Sequence, residues 1–242
     1  MVGNATAHAF AIDKYIDLKE SNVTYKQASE LRYHFICLPT PTIKGVCFTD
    51  DIREYIKQMV SFGRQNVFII RSTVKPGTCK AIMEDCKISW VVHAPEFLSE
   101  GTWKEDSEWP DIVVIGGEDR NFTQDVEMLF KGRYKGSEFF ITDTVTSETI
   151  KYAVNNLYSM KVAYANELYE YAKMVGANYE TIKNALYARK WVGRNHLDVH
   201  YEGKRGIRGH CLPKDLEAMA GHSQSKLLKL ILTLNEGYLR KE

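Results

Sequence analysis

TSETIKYAVNNLYSMKVAYANELYEYAKMVG, residues Thr146 to Gly176, contains no proline and no internal glycine. Ile150, Val154, Leu157, Tyr164, Leu168, Tyr171 and Val175 keep to three- and four-residue steps, with Lys161 interrupting the apolar seam. That spacing predicts one helix of about 30 residues, roughly 45 Å long at 1.5 Å per residue, with Gly176 as its stop. A small domain does not need so long an element. The helix therefore reads as the spine of an all-helical domain over residues 144–242 and as a surface for a second copy of the chain. Shorter helices are predicted near Tyr179–Ala188, Pro213–Ala220 and Lys226–Leu239.

Upstream, over residues 1–143, the texture is different. KYIDL (Lys14–Leu18), HFICLP (His34–Pro39), NVFIIRS (Asn66–Ser72), SWVVHAP (Ser89–Pro95), DIVVIGG (Asp111–Gly117) and FFIT (Phe139–Thr142) are short β-type runs. Amphipathic segments separate several of them, such as Thr49–Phe62, opened by Asp50 and Asp51 and closed by Gly63. Strands alternating with helices imply a doubly wound α/β domain with a parallel sheet.

Composition narrows the function classes. A net charge of +1 gives no electrostatic footprint for nucleic acid or a membrane surface. No apolar run approaches the roughly 20 residues that span a bilayer, and the N-terminus lacks a signal-peptide pattern. The five cysteines are odd in number and scattered, which argues against a disulfide framework or a zinc site and for a reducing cytoplasm.

The N-terminal stretch MVGNATAHAFAIDKYIDLK reads as a helix opening at Gly3, then a strand ending in Asp17. A dinucleotide-binding unit runs strand, G-x-G-x-x-G, helix, strand, with an acidic residue for the ribose hydroxyls. Gly3 fits the third glycine and Asp17 the acidic residue, although a glycine before a helix and an aspartate in a turn are both common. CLPTPT (Cys37–Thr42), RSTVKPGT (Arg71–Thr78) and APEFLSEGT (Ala94–Thr102) each follow a predicted strand, at the edge where open α/β sheets collect ligands. There Thr40 and Thr73 offer hydroxyls, and Glu96 and Glu100 lie one turn apart if a helix begins at Pro95. Lys151 and Asn155 share a helix face, placed either in solvent or to stabilise an alkoxide.

GIRGHCLPKD, Gly206 to Asp215, puts Cys211 just ahead of Pro213, a natural first-turn residue. At a helix N-terminus the dipole and unpaired N–H groups favour the thiolate, which is the nucleophilic form. Lys214 and Asp215 fall in the same turn. From these ten residues, an inert buried thiol and a reactive one are both open.

Together, STVKPGT, APEFLSEGTWKEDSEWPDIVVIGG, KYAVNNLYSMKVAYANE and RGHCLPKD, in this order from Gly3 to about Ala220, resemble the UDP-glucose/GDP-mannose 6-dehydrogenases. The resemblance implies a Rossmann-like NAD-binding domain at 1–143 and a 6-phosphogluconate-dehydrogenase-like helical central domain at 144–242. It implies four-electron oxidation of the C6 hydroxymethyl of a nucleotide sugar, UDP-glucose first, through a thiohemiacetal and a thioester on Cys211. By position, Lys151 and Asn155 polarise the oxygen at C6, Asp215 supports base chemistry near the sulfur, and Glu96 assists thioester hydrolysis. Thr73 holds a water or the cofactor, while Gly3, Asp17, Thr40 and Glu100 lie against NAD. Lys204 and Gly209 belong to a loop over the sugar, and the substrate arginine falls on Arg189, Lys190 or Arg194. A homodimer through the long helix completes the expectation.

The departures are equally specific. The family's third domain does not fit before Glu242, and, with Met1 inside the glycine motif, the natural protein is expected to begin roughly ten residues upstream with the first strand and first two glycines. Ala94 stands for the family's asparagine, and Arg208 and His210 stand in its glycine-rich loop, adding bulk and charge. Two other readings use the same features. One is a two-electron β-hydroxyacid dehydrogenase, which has no need of Cys211. The other is a non-catalytic module that binds a nucleotide sugar or a partner, which has no chemical need of the whole set.

Overall fold

Every residue of Val67–Ile70 is buried, as in a strand covered on both faces. The two faces differ in their partners. Phe68 and Ile70 pack into one cluster with Ile52, Ile56 and Met59, whereas Val67 and Ile69 pack into another with Val113, Ile115 and Phe130. Alternation along a single strand thus builds two cores, one on each side of a sheet.

The computed structural model describes residues 1–17, 19–99 and 101–241. Contacts divide them into one unit, Met1–Thr40 with Phe48–Lys151, and another, Pro41–Cys47 with Tyr152–Glu242. In chain order the elements are α1 (Val2–Phe10), α2 (Tyr25–Ala28), β1 (Tyr33–Ile36), β2 (Thr42–Ile43), β3 (Val46–Cys47), α3 (Asp50–Ser61), β4 (Val67–Ile70), α4 (Thr78–Cys86), β5 (Val91–His93) and α5 (Trp103–Glu108). There follow β6 (Ile112–Gly117), α6 (Arg120–Arg133), β7 (Glu138–Thr142), α7 (Thr144–Val175), α8 (Tyr179–Ala188), β8 (His200–Tyr201), β9 (Lys204–Arg205), α9 (Leu212–Ser223) and α10 (Lys226–Tyr238).

In the first unit the sheet runs β1-β4-β5-β6-β7. The pairs β1·β4, β4·β5 and β6·β7 are parallel, with Tyr33 opposite Val67 and Ile112 opposite Glu138. One pair departs from the all-parallel expectation: β5 and β6 run antiparallel, Val92 opposite Gly117. Parallel neighbours need a crossover helix that covers the sheet. The short α5 between β5 and β6 packs on α1 instead, so the chain returns without crossing.

Of the strand expected at Lys14–Leu18, residues Lys14–Asp17 are described and form none, and Leu18 lies outside the described residues. Ile16 makes a single antiparallel bridge to Ser21. Asn22 donates to the Asp13 carbonyl, and Ser21 Oγ donates to the Asp17 carbonyl at 3.1 Å. These side chains take up backbone groups that a ladder would otherwise use. The predicted helix at Thr49–Phe62 is α3, the long one is α7, and the three shorter ones are α8, α9 and α10.

In the second unit Val162, Ile207, Leu216 and Ile231 form one cluster, and Ala165, Tyr179, Leu197 and Val199 another. The β2–β3 hairpin docks on α9. Gly45, at φ +77°, donates its N–H to Glu217 Oε1 at 2.9 Å. A Cβ on Gly221 would stand 2.7 Å from the Gly45 carbonyl oxygen, so backbone meets backbone there and both positions need glycine. Among the described residues, no helix is long and apolar enough to cross a membrane.

Candidate active site

In the first unit, Lys151 comes from the first turns of α7 and is buried, 4 % exposed. It is not the solvated surface charge that a helix lysine usually is. Its Nζ donates to the Glu96 carbonyl at 2.5 Å, stands 3.4 Å from Glu96 Oε1 and lies over the Phe97 ring at 5.2 Å. Glu96 is likewise buried, and its Oε2 accepts from the Leu98 N–H at 2.7 Å.

No helix begins at Pro95, contrary to the condition set for Glu96 and Glu100; Glu100 lies outside the described residues. The reason is in the carbonyls of that segment. Buried Arg71 donates through Nη1 to Ala94 O at 2.8 Å and to Pro95 O at 3.3 Å. With Lys151 on Glu96 O, three successive carbonyls are taken by side-chain cations rather than by helical N–H groups. Ahead of them, His93 is fully buried, its Nδ1 2.8 Å from Ser147 Oγ, and burial holds its pKa down at about 3.

Thr40 and Thr73 come together, Thr40 Oγ1 donating to Thr73 O at 2.6 Å. The Thr73 loop is fixed further along by Glu148 of α7, fully buried. Its carboxylate accepts from the N–H of Gly77 at 2.5 Å and of Cys79 at 2.8 Å, and burial pushes its pKa up. This carboxylate caps α4, whose N-cap Gly77 has no side chain to do so.

Gly3 lies in the first turn of α1 rather than opening it, and a Cβ there would come within 3.7 Å of Cys37 Cβ. The first turn of α1, with no side-chain cap, thus starts beside the carboxyl end of β1. Unpaired N–H groups at a helix start suit a phosphate, so these residues fit a dinucleotide. Asp17 is exposed, and its Oδ1 accepts from the Lys19 N–H at 3.1 Å within its own turn.

In the second unit, Cys211 is the N-cap of α9, half-buried, with Pro213 in the first turn behind it. Asp215 in that turn is fully buried. Its Oδ2 accepts from Asn155 Nδ2 at 2.5 Å, and its Oδ1 lies 2.5 Å from Lys214 Nζ. Asn155 is thus tied to Asp215, whose N–H donates to the Cys211 carbonyl at 3.0 Å. Gly209 takes φ +79° in the loop ahead of Cys211. Arg189 and Lys204 are exposed, Arg189 at the end of α8 and Lys204 in β9.

Arg71, His93, Glu148 and Asn235 were not singled out by the sequence. Glu148 had a usable signal, because it falls three residues before Lys151 on the same helix face. The other three are unremarkable until the loops they hold are seen.

The chain matches the family model of the UDP-glucose/GDP-mannose dehydrogenase NAD-binding domain over residues 11–133, and that of the central domain over residues 145–236. It is 28% identical to the UDP-glucose 6-dehydrogenase of Rickettsia felis, over 90% of this chain and 51% of that protein. With the enzyme of the same name from Rickettsia typhi it is 33% identical, over 70% of this chain and 41% of the other. The solved structure of a UDP-glucose dehydrogenase from Pyrobaculum islandicum superposes with a TM-score of 0.77 at 25% identity, covering 90% of this chain and 53% of that one. The chain thus spans about half the length of the curated relatives it matches. The cofactor of the matched N-terminal domain is NAD, in keeping with the α1 start and the strand ends beside it. With both of its domain models matched in order over nearly the whole length, this chain belongs to the UDP-glucose/GDP-mannose dehydrogenase family.

Proposed function

We propose that the protein is an NAD-dependent nucleotide-sugar 6-dehydrogenase, with UDP-glucose the first substrate to test, that oxidises the C6 hydroxymethyl to a carboxylate. The observation that carries this reading is Cys211 at the N-cap of α9, with buried Asp215 in the same turn tied to Asn155. Neither a two-electron dehydrogenase nor a binding module has chemical need of that arrangement.

When bound, NAD supplies the hydride acceptor for each of the two oxidations. The first turn of α1 would hold its diphosphate, Asp17 its ribose, and Thr40 and Thr73 the groups beyond the ends of β1 and β4. Lys151 and Asn155 stabilise negative charge on the oxygen at C6 as the alcohol loses its proton. The Cys211 thiolate adds to the aldehyde carbon, and the carbonyl oxygen takes a proton to give the thiohemiacetal. Oxidation of that adduct leaves a thioester on Cys211. Water then adds to its carbonyl carbon, the carbon–sulfur bond breaks, and the thiolate returns; Glu96 receives the proton of the attacking water. Covalent capture keeps a reactive aldehyde from leaving between the two oxidations. Arg189, Lys204 and Gly209 are assigned to the sugar nucleotide, in a cytoplasmic enzyme.

A homodimer through α7 belongs to the same reading. Leu157, Tyr164, Tyr171 and Met174 are exposed on that helix, at seven-residue and then three-residue steps, the spacing of a seam between helices.

The test is NADH production from UDP-glucose and a panel of other UDP- and GDP-sugars. Two NADH per sugar and the uronate are expected, and Cys211→Ser should stop the full oxidation. One NADH per substrate would replace the reading with a two-electron dehydrogenase. Absence of turnover on every sugar, with NAD bound, would replace it with a binding module.

A further inference from the structure

Asn235, in the last turns of α10, is buried, 7 % exposed. Its carboxamide makes both hydrogen bonds to one residue of the loop ahead of Cys211. Oδ1 accepts from the Ile207 N–H at 2.6 Å, and Nδ2 donates to the Ile207 carbonyl at 3.3 Å. Gly206 leaves room for that amide: at φ +89°, a Cβ there would stand 2.8 Å from Asn235 Oδ1.

Arg208 adds to the seam. Its Nε donates to the Arg205 carbonyl at 2.6 Å and its Nη2 to the carbonyl of Leu239, the C-cap of α10, at 3.3 Å. Residues 205–208 are therefore tied to one another and to the end of α10, and Ile207 is buried in the core below. Downstream the chain is held as well, since the Asp215 N–H donates to the Cys211 carbonyl at 3.0 Å and the β2–β3 hairpin grips α9. Gly209, left-handed, lies between the two anchors, and Gly206, also left-handed, lies just ahead of the upstream one.

We propose that Asn235 is a positioning residue for Cys211: by pinning Ile207 through both of its backbone groups, it sets the loop so that the thiol enters at the N-terminus of α9. This rests on the proposed reading of Cys211 as the nucleophile. A thiolate gains from the helix N–H groups only while it stays within the first turn. If the upstream pin is removed, two glycines without side-chain constraint let the segment swing, and the time the sulfur spends at the helix start falls.

The experiment is peptide-resolved alkylation of the reduced full chain by iodoacetamide, followed over about pH 5 to 9. Wild type, Asn235→Leu, Asn235→Ala and Asn235→Asp are compared, with the half-buried Cys86 of the first unit as the internal control. In wild type, Cys211 should titrate below an ordinary thiol. Asn235→Leu and Asn235→Ala should move its apparent pKa up by about one unit and slow alkylation at neutral pH roughly tenfold. Asn235→Asp keeps the acceptor for the Ile207 N–H and should restore part of the rate, while Cys86 stays unchanged throughout. A loss of stability alone would not produce that pattern. If Cys211 is activated in wild type and equally so in all folded variants, the inference falls and the proposed function stands. If Cys211 of the wild type reacts as an ordinary thiol, the nucleophile reading falls first.

Discussion

Lys151 donates its ammonium to the main-chain carbonyl of Glu96 at 2.5 Å, while the carboxylate Oε1 of the same residue stands at 3.4 Å. A neutral acceptor therefore orients the cation, and the Glu96 carboxylate is oriented separately by the Leu98 N–H. Two opposite charges are buried side by side, each with its own anchor.

Lys151→Ala removes one member of that pair and leaves a buried carboxylate uncompensated. Breaking a buried pair in this way costs about 3 kcal/mol or more, which urea unfolding will read. Nucleotide-sugar oxidation should fall at least about 100-fold, the scale for losing one group aimed at developing charge. Unchanged stability together with retained turnover would refute the role given to Lys151.

His93 supplies a pH signature. Burial lowers its folded-state pKa from 6.5 to about 3, so between those values the unfolded chain binds the extra proton. Stability therefore rises with pH through that window and is lost as pH falls from 6.5 towards 3. His93→Asn should flatten the acid limb of a melting-temperature profile between about pH 6.5 and 4. An acid limb identical to that of wild type would show that other groups set it.

Gly221→Ala tests the hairpin on α9. The added methyl would meet the Gly45 carbonyl at 2.7 Å and its Cα at 2.9 Å, both backbone atoms that cannot rotate away. A loss of about 1–3 kcal/mol is expected from overpacking, together with slower covalent chemistry at Cys211, since α9 carries that residue as its N-cap. Gly132→Ala, on an open helix surface, is the control and should stabilise slightly or do nothing.

The exposed seam on α7 predicts the oligomer. Leu157→Glu combined with Tyr164→Glu places charges on two successive heptad positions of that face. Sedimentation should shift from a dimer to a monomer, with little change in helix content. A monomeric wild type would dispose of the seam as an interface.

Arg208 shows where reading from sequence stopped. Within a glycine-rich loop, the residue type alone reads as added bulk and charge. In the fold its guanidinium is directed to the Arg205 and Leu239 carbonyls, so it stitches the loop to α10. Nothing within the loop announces this, because the acceptor at Leu239 lies 31 residues further along. Over the described residues of the β-type run expected at Lys14–Leu18, local side-chain hydrogen bonds took backbone groups that a ladder needs. Arg189, exposed at the end of α8, is the residue proposed above for the sugar nucleotide.

The features legible from residues alone are those made by neighbours in the chain. Helical periodicity from Thr146, β runs between capped helices, and a cysteine ahead of a first-turn proline all arise from interactions within a few residues. The tertiary structure decided what distant residues did with them. It took Lys151 out of solvent onto a carbonyl 55 positions away, turned β5 and β6 antiparallel, and joined Asn155 to Asp215 and Asn235 to Ile207. Local patterning sets propensity, but a buried donor or acceptor must find a partner wherever the fold brings one within reach. That pairing belongs to the whole chain rather than to any stretch of it.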